Sequence, residues 1–313
     1  MKHFSHMDVS SFAEAAKNST GKTAIIAGGT DLLGTLKDEI LPTYPEKLIN
    51  IKTVSDGAYI TEDGDKVRIG ALTRVQDVAD SELIQTKFAA LAQAAAKVAS
   101  PTIRSMGTIG GNICQQHRCW YFRCADNRFN CLRKGGNYCP AHVGENQYHS
   151  IFGDQEGCYA VNSQETAPAL IALGATIETT SRSIPAADFF AANGVRSNVL
   201  ADDEIVTEIV LPNVEYKSAF SKFALRKAID FAVVNCAVAT GSDGKTAIVL
   251  GGVYPAPVRC TTAEAAVAGG ISAETAAAAG DAAVESATPL ANNAYKVEIA
   301  RTVVKRTLLE LTK

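Results

Sequence analysis

Ala24-Ile25-Ile26-Ala27-Gly28-Gly29-Thr30-Asp31-Leu32-Leu33 is the stretch whose reading decides the fold. The short apolar run from Thr23 to Ala27 has the pattern of a buried strand. It ends in two glycines, which accept positive φ and let the backbone come close to a neighbour. A helix is predicted from Leu32 to Asp38. Strand, tight turn and helix start together set consecutive N–H groups beside a helix N-terminus, an anion cradle that suits a pyrophosphate. Adjacent glycines also make ordinary turns, and the stretch is neither a G-x-G-x-x-G fingerprint nor a P-loop.

A second turn lies downstream. Ser105-Met-Gly-Thr-Ile-Gly-Gly-Asn-Ile113 crowds three glycines among small hydroxyl and amide side chains. Two such loops from separate parts of one α/β unit can clamp a dinucleotide from both sides. Around them, residues 10–18 read as a helix capped by Ser10 or Ser11, with Glu14 in its first turn. Lys47–Ile51 and Val67–Ala71 read as strands, a helix begins at Thr73, and residues 83–98 are alanine-rich and helical. Residues 99–113 break that pattern.

Regular structure resumes at Ala167. Segments at 175–180 and 204–212 follow, then three strands at 219–225, 231–240 and 246–251. Val297, Ala300, Val304, Leu308 and Leu311 recur at spacings of three and four, one face of a terminal helix. A domain boundary is placed near Pro212, with no long repeats and no flexible linker.

The chain has 313 residues, 47% hydrophobic and 20% charged, enough for two domains with buried cores. A formal net charge of −3 and the lack of basic motifs point away from nucleic acid and membrane surfaces. No apolar run approaches a membrane span. The N-terminus lacks a signal peptide's apolar core, so a cytoplasmic chain is expected, although export folded on a signal-bearing partner leaves no trace in such a sequence. There is no nucleophile–base pair and no nucleophile-elbow serine, which argues against a hydrolase.

Residues 114–160 are different material: Cys, aromatics, Arg, Gly and Asn with little periodicity, as expected of a segment with its own function. Five of the eight cysteines (Cys114, Cys119, Cys124, Cys131 and Cys139) fall within 26 residues, and Cys158 follows. Without a secretory signal, such clustering favours metal or redox chemistry over disulfides. Four thiolates can hold tetrahedral zinc or an iron–sulfur cluster. Zinc sites usually show tight C-x2-C knuckles. Here Cys119, Cys131, Cys139 and Cys158 are separated by 11, 7 and 18 residues, which suits a bulkier group wrapped by loop. Arg118, Arg133 and Lys134 would favour its negative charge. His117, His142 and His149 read as surface or hydrogen-bonding histidines, and Cys236 as an ordinary core residue.

Ala27-Gly-Gly-Thr-Asp-Leu-Leu, Gly70-Ala-Leu-Thr73, Thr108-Ile-Gly-Gly-Asn-Ile and Ala167-Pro-Ala-Leu-Ile-Ala-Leu-Gly-Ala stand in an order that resembles the FAD-binding medium subunit of the xanthine dehydrogenase family of molybdenum hydroxylases. Lys222-Phe-Ala-Leu-Arg, Asp230-Phe-Ala-Val-Val and Gly251-Gly-Val-Tyr-Pro-Ala-Pro-Val-Arg-Cys extend the likeness over nearly the whole chain. The cysteine segment resembles the subset with an extra [4Fe–4S] cluster in the flavin subunit, as in 4-hydroxybenzoyl-CoA reductase and aldehyde oxidoreductase.

The resemblance implies an α+β fold: a vanillyl-alcohol-oxidase (PCMH)-type FAD domain over 1–212, with two α/β lobes at about 1–55 and 56–212 and the iron–sulfur insertion at about 114–160. A C-terminal α+β domain, a small antiparallel sheet with helices, would cover 213–313. Ala27, Gly28, Gly29, Thr30, Asp31 and Leu32 would hold the FAD pyrophosphate. Thr73, Thr108, Gly110, Gly111 and Asn112 would line the phosphate and flavin region, with Glu165, where relatives commonly carry Asp, and Lys222 near the flavin. The cluster ligands would be Cys119, Cys131, Cys139 and Cys158, with Cys114 and Cys124 left out.

Partners implied are a molybdopterin-binding large subunit, a [2Fe–2S] small subunit and a one-electron carrier such as ferredoxin. The chain would pass electrons between these centres and an external acceptor or donor. The alternatives are a free-standing flavin reductase of the same fold and a zinc-stapled binding scaffold.

Overall fold

The computed structural model describes residues 1–125, 128–190 and 196–313. The chain first lays down β1 (Ser5–Asp8), α1 (Phe12–Asn18), β2 (Thr23–Ile26), α2 (Leu32–Lys37) and β3 (Lys47–Asn50). The strands form a parallel sheet in the order β1-β3-β2. Parallel neighbours require crossovers, and α1 and α2 supply them. Ser11 caps α1, accepting the Glu14 N–H at 3.1 Å.

Next come β4 (Ile60–Asp63) and β5 (Lys66–Gly70), then five helices: α3 (Val75–Asp80), α4 (Glu82–Lys87), α5 (Ala89–Ala96), α6 (Pro101–Arg104) and α7 (Ile109–Cys114). The alanine-rich helix expected over 83–98 is two helices, broken at Phe88, whose φ of −133° and ψ of 52° leave the helical region. That ring is fully buried. After the cysteine segment come α8 (Thr166–Ala172), β6 (Thr176–Thr179), β7 (Ser183–Pro185), α9 (Ala186–Phe189) and β8 (Val206–Pro212). These strands close an antiparallel sheet, β4-β5-β8-β6-β7, in which Val67, Ile69, Ile177, Ile209 and Leu211 are buried.

The last hundred residues form β9 (Tyr216–Phe223), β10 (Val234–Gly241), β11 (Thr246–Gly251), β12 (Val258–Arg259), α10 (Thr261–Ala266), α11 (Ala273–Ala282) and α12 (Tyr295–Glu310). The antiparallel sheet β12-β11-β10-β9 is buried on both faces. Alternation along its strands divides the side chains. Phe220, Ala237, Ala239 and Val249 join the core formed by the preceding sheet and helices. Ala219, Cys236, Val238, Ile248 and Leu250 face the core built with α10–α12. Cys236 is fully buried there. The overall architecture is α+β.

Candidate functional site

The two glycine turns meet. A Cβ on Gly28 would stand 2.2 Å from the Met106 carbonyl oxygen and 2.8 Å from Gly107 Cα, so only glycine permits this approach. Gly29 has φ +71°, a left-handed value that glycine takes without strain. The second turn is in fact mostly helix. Thr108 caps α7, accepting the Gly111 N–H at 3.1 Å. The end of β5 is stitched to it by Ile109 N–H donating to Thr73 O (2.8 Å) and Gly110 N–H to Ala71 O (2.9 Å).

Between the turns opens a cleft of ≈ 400 Å³. Ala27, Gly28, Gly29, Thr30, Asp31 and Leu32 line one wall, and Thr108, Gly111, Asn112 and Glu165 another. Ile103, Ile229 and Phe231 add apolar surface. Three expected cofactor residues lie behind this lining. Thr73 is buried, its hydroxyl spent between the N–H and C=O of Tyr59 at 3.0 and 2.9 Å. Gly110 packs on Ala71. Lys222 reaches across from β9 to Glu165 at 3.0 Å and donates to the carbonyls of Lys97 (2.9 Å) and Asp230 (2.5 Å). Burial raises the pKa of Glu165, and the Lys222 ammonium opposes that rise.

Asp31 begins α2 without capping it through its side chain. Its carboxylate is taken instead by the cysteine segment: Arg118 and Arg123 each reach it at 2.8 Å, and the Gln116 N–H donates to it at 3.0 Å. Arg118 also lies over the Phe231 ring, 4.8 Å from its centroid. Arg118 therefore faces the cleft, away from the sulfurs it was expected to serve. Lys134 donates to the Cys124 carbonyl at 2.7 Å, and its charge also favours the Cys131 thiolate. Arg133 donates directly to a sulfur, its Nε 3.2 Å from Cys158 Sγ.

Cys119, Cys131, Cys139 and Cys158 line one small cavity, walled by Tyr121, Phe122, Leu132, Arg133 and Pro140. Cys114 lies in the larger cleft, and Cys124 lines neither. All eight cysteines are free thiols. Backbone N–H groups point at the sulfurs: those of Phe122 and Tyr121 at Cys119, and those of Arg133 and Lys134 at Cys131. Burial nevertheless pushes the Cys119 thiol up to about 12, helped by neighbouring Cys139 and Cys158. Such a sulfur becomes a ligand only when a metal displaces its proton. Among the described residues no three His, Cys, Asp or Glu side chains are placed to hold one metal ion. The cavity that the four thiols share is small, ≈ 10 Å³.

The histidines separate. His142 is exposed. His117 is buried between Ser197 Oγ (2.6 Å) and the Pro255 carbonyl (2.8 Å). His149 is 2% exposed with Nε2 3.2 Å from Cys119 Sγ, a placement that residue type alone does not signal. No helix among the described residues is long and apolar enough to cross a membrane.

Residues 2–214 match the family described as the FAD binding domain in molybdopterin dehydrogenase, and residues 218–311 match the CO dehydrogenase flavoprotein C-terminal domain. The aldehyde oxidoreductase FAD-binding subunit PaoB of Escherichia coli (strain K12) is 32% identical over 321 residues, spanning 99% of this chain and 98% of that one. The carbon monoxide dehydrogenase medium chain of Hydrogenophaga pseudoflava is 29% identical over 294 residues, 91% of this chain and 87% of that one. Among solved structures, carbon monoxide dehydrogenase from Hydrogenophaga pseudoflava, in a form lacking the Mo-pyranopterin moiety of its cofactor, superposes with a TM-score of 0.75 at 27% identity, over 98% of this chain and 96% of that one.

Proposed function

The chain belongs to the family of FAD-binding subunits of molybdopterin dehydrogenases, and from that membership we propose that it is an electron-transfer subunit holding FAD in the larger cleft and a [4Fe–4S] cluster on Cys119, Cys131, Cys139 and Cys158. The observation that carries the second half is the single cavity lined by all four cysteines, set apart from the other four thiols. A lone tetrahedral zinc would draw its sulfurs to about 3.8 Å from one another, as Zn–S bonds of ~2.3 Å dictate. The 11-, 7- and 18-residue intervals lack the tight knuckles of a zinc site and suit a cluster wrapped by loop.

When bound, FAD exchanges electrons singly or in pairs and the cluster exchanges them singly. The chain's own residues position both. The Gly28–Gly29 turn and the start of α2 would offer N–H groups to the pyrophosphate. Ile103, Ile229 and Phe231 would exclude water from the ring, and Glu165, neutralised by Lys222, would present a polar edge without a free charge. Arg118 is covalently next to Cys119 and ion-paired to Asp31, so one short segment borders both sites.

The partners proposed are a molybdopterin-binding large subunit, which would carry the substrate pocket, a [2Fe–2S] small subunit, and a one-electron carrier such as ferredoxin docking near the cysteine segment. A cytoplasmic setting agrees with eight unpaired thiols. The test is iron, zinc and acid-labile sulfide per FAD on anaerobically purified protein. About four irons and four sulfides per FAD, without zinc, are expected. One zinc and no sulfide would turn the segment into a structural staple and remove the ferredoxin step with it.

A further inference from the structure

Two of the four cavity cysteines have a buried side-chain nitrogen within hydrogen-bond reach of the sulfur. His149 Nε2 lies 3.2 Å from Cys119 Sγ, and Arg133 Nε lies 3.2 Å from Cys158 Sγ. Both side chains belong to the interior, His149 2% and Arg133 6% exposed. Neither position is casual. The His149 backbone is held from three directions: its N–H donates to Asn146 O at 3.0 Å, and its carbonyl accepts from Lys296 Nζ at 2.9 Å and Asn293 Nδ2 at 3.1 Å. Its ring stands against Trp120 and Tyr121, with centroids 6.3 and 5.9 Å away. Asn293 and Lys296 are themselves fully buried. Arg133 sits in the 3-10 turn Leu132–Lys134, whose N-cap is Cys131.

We propose that His149 and Arg133 set the reduction potential of the cluster by donating hydrogen bonds to the ligand sulfurs of Cys119 and Cys158. The inference rests on the [4Fe–4S] reading above. A metal-bound sulfur carries no proton, so the ring nitrogen facing Cys119 must supply one. Reduction adds a negative charge that spreads onto the sulfurs, and an N–H donor or a guanidinium stabilises the reduced form more than the oxidised one. A guanidinium adds charge to the hydrogen bond and is the stronger donor. In a largely buried site neither effect is diluted by solvent. The pair therefore holds the potential up and makes the cluster a better electron acceptor from reduced flavin. His149 and Arg133 are positioning residues; they act through the ligand cysteines.

The experiment is an anaerobic redox titration of the FAD-loaded full chain, following the cluster by electron paramagnetic resonance and the flavin by absorbance. Iron and sulfide are measured on each sample. His149→Leu and Arg133→Met should keep their iron and lower the cluster's reduced-to-oxidised ratio about tenfold at a given potential, equivalent to ~59 mV for one electron. The flavin midpoint should stay put. His149→Gln and Arg133→Lys, each with a weaker or displaced donor, should fall between. Wild-type midpoints in the two apolar variants overturn the proposal. If those variants lose iron, wild-type midpoints in the Gln and Lys variants overturn it equally. Wild-type protein without iron and sulfide overturns the cluster assignment itself, a distinct result.

Discussion

Glu165 Oε1 and Lys222 Nζ meet at 3.0 Å with side chains only 2% and 8% exposed, joining the N-cap of α8 to β9. Breaking one side of such a pair strands a buried charge. Lys222→Met should therefore destabilise the protein by about 3–5 kcal/mol in urea denaturation at neutral pH. Lys222→Met with Glu165→Leu should recover at least half of that loss. A double variant no more stable than the single one would show that packing, not charge, underlies the effect.

Gly28 and Gly34 form a matched contrast. A Cβ at 28 collides with the Met106 carbonyl, whereas a Cβ at 34 meets nothing within 4 Å. Gly28→Ala should push the two turns apart and raise the FAD dissociation constant at least tenfold, about 1.4 kcal/mol. Gly34→Ala, inside α2, should leave FAD binding unchanged and stabilise the fold by roughly 0.5–1 kcal/mol. Flavin fluorescence titration and thermal melts read the two effects. Equal FAD affinity in Gly28→Ala and wild type would contradict the close-approach account.

The eight thiols should divide into two classes. Cys131→Ser is expected to lose most of the bound iron and sulfide while retaining FAD, because Cys131 lines the small cavity. Cys124→Ser should retain both, because Cys124 does not line it. Metal analysis beside the visible spectrum decides, and iron loss in Cys124→Ser would require a different ligand set.

Lys296 predicts a pH dependence. Its ammonium is fully enclosed, donating to the carbonyls of His149 (2.9 Å) and Gly252 (2.6 Å), and burial lowers its pKa to about 7. A lysine in the unfolded chain titrates near 10.4. Between about 7 and that value the unfolded state holds the proton and the folded state has lost it. Stability should then rise with pH across that window, by at most ~1.4 kcal/mol per unit, and lie flat below it. Lys296→Met should abolish the rise. Urea midpoints from pH 6 to 9.5 test it, and parallel slopes in the two proteins would refute it.

Most elements with internal apolar periodicity could be read from the sequence: β2, β5, β10, β11 and α12 each carry their own pattern. β1 could not. Ser5-His-Met-Asp8 has no buried face and is a strand because β3 lies beside it. α7 was hidden by Gly110 and Gly111, poor helix formers, and is rescued by the Thr108 cap. The cysteine set and the glycine turns were visible as spacing. The partners of Asp31 were not: Arg118 and Arg123 lie 87 and 92 positions away, and nothing local in either stretch announces the pairing. For the same reason His149 looked ordinary until the fold brought it to Cys119.

The two family matches meet between residues 214 and 218, yet the buried side chains do not respect that seam. Phe220, Ala237, Ala239 and Val249 complete the hydrophobic interior of the part that precedes them. A fragment ending at residue 214 would expose that apolar wall and is expected to aggregate, not to fold as a smaller flavoprotein. Recombination at this point in the gene would have to bring a matching sheet face with it. The two parts should therefore unfold together in a single transition, although the sequence reads as two.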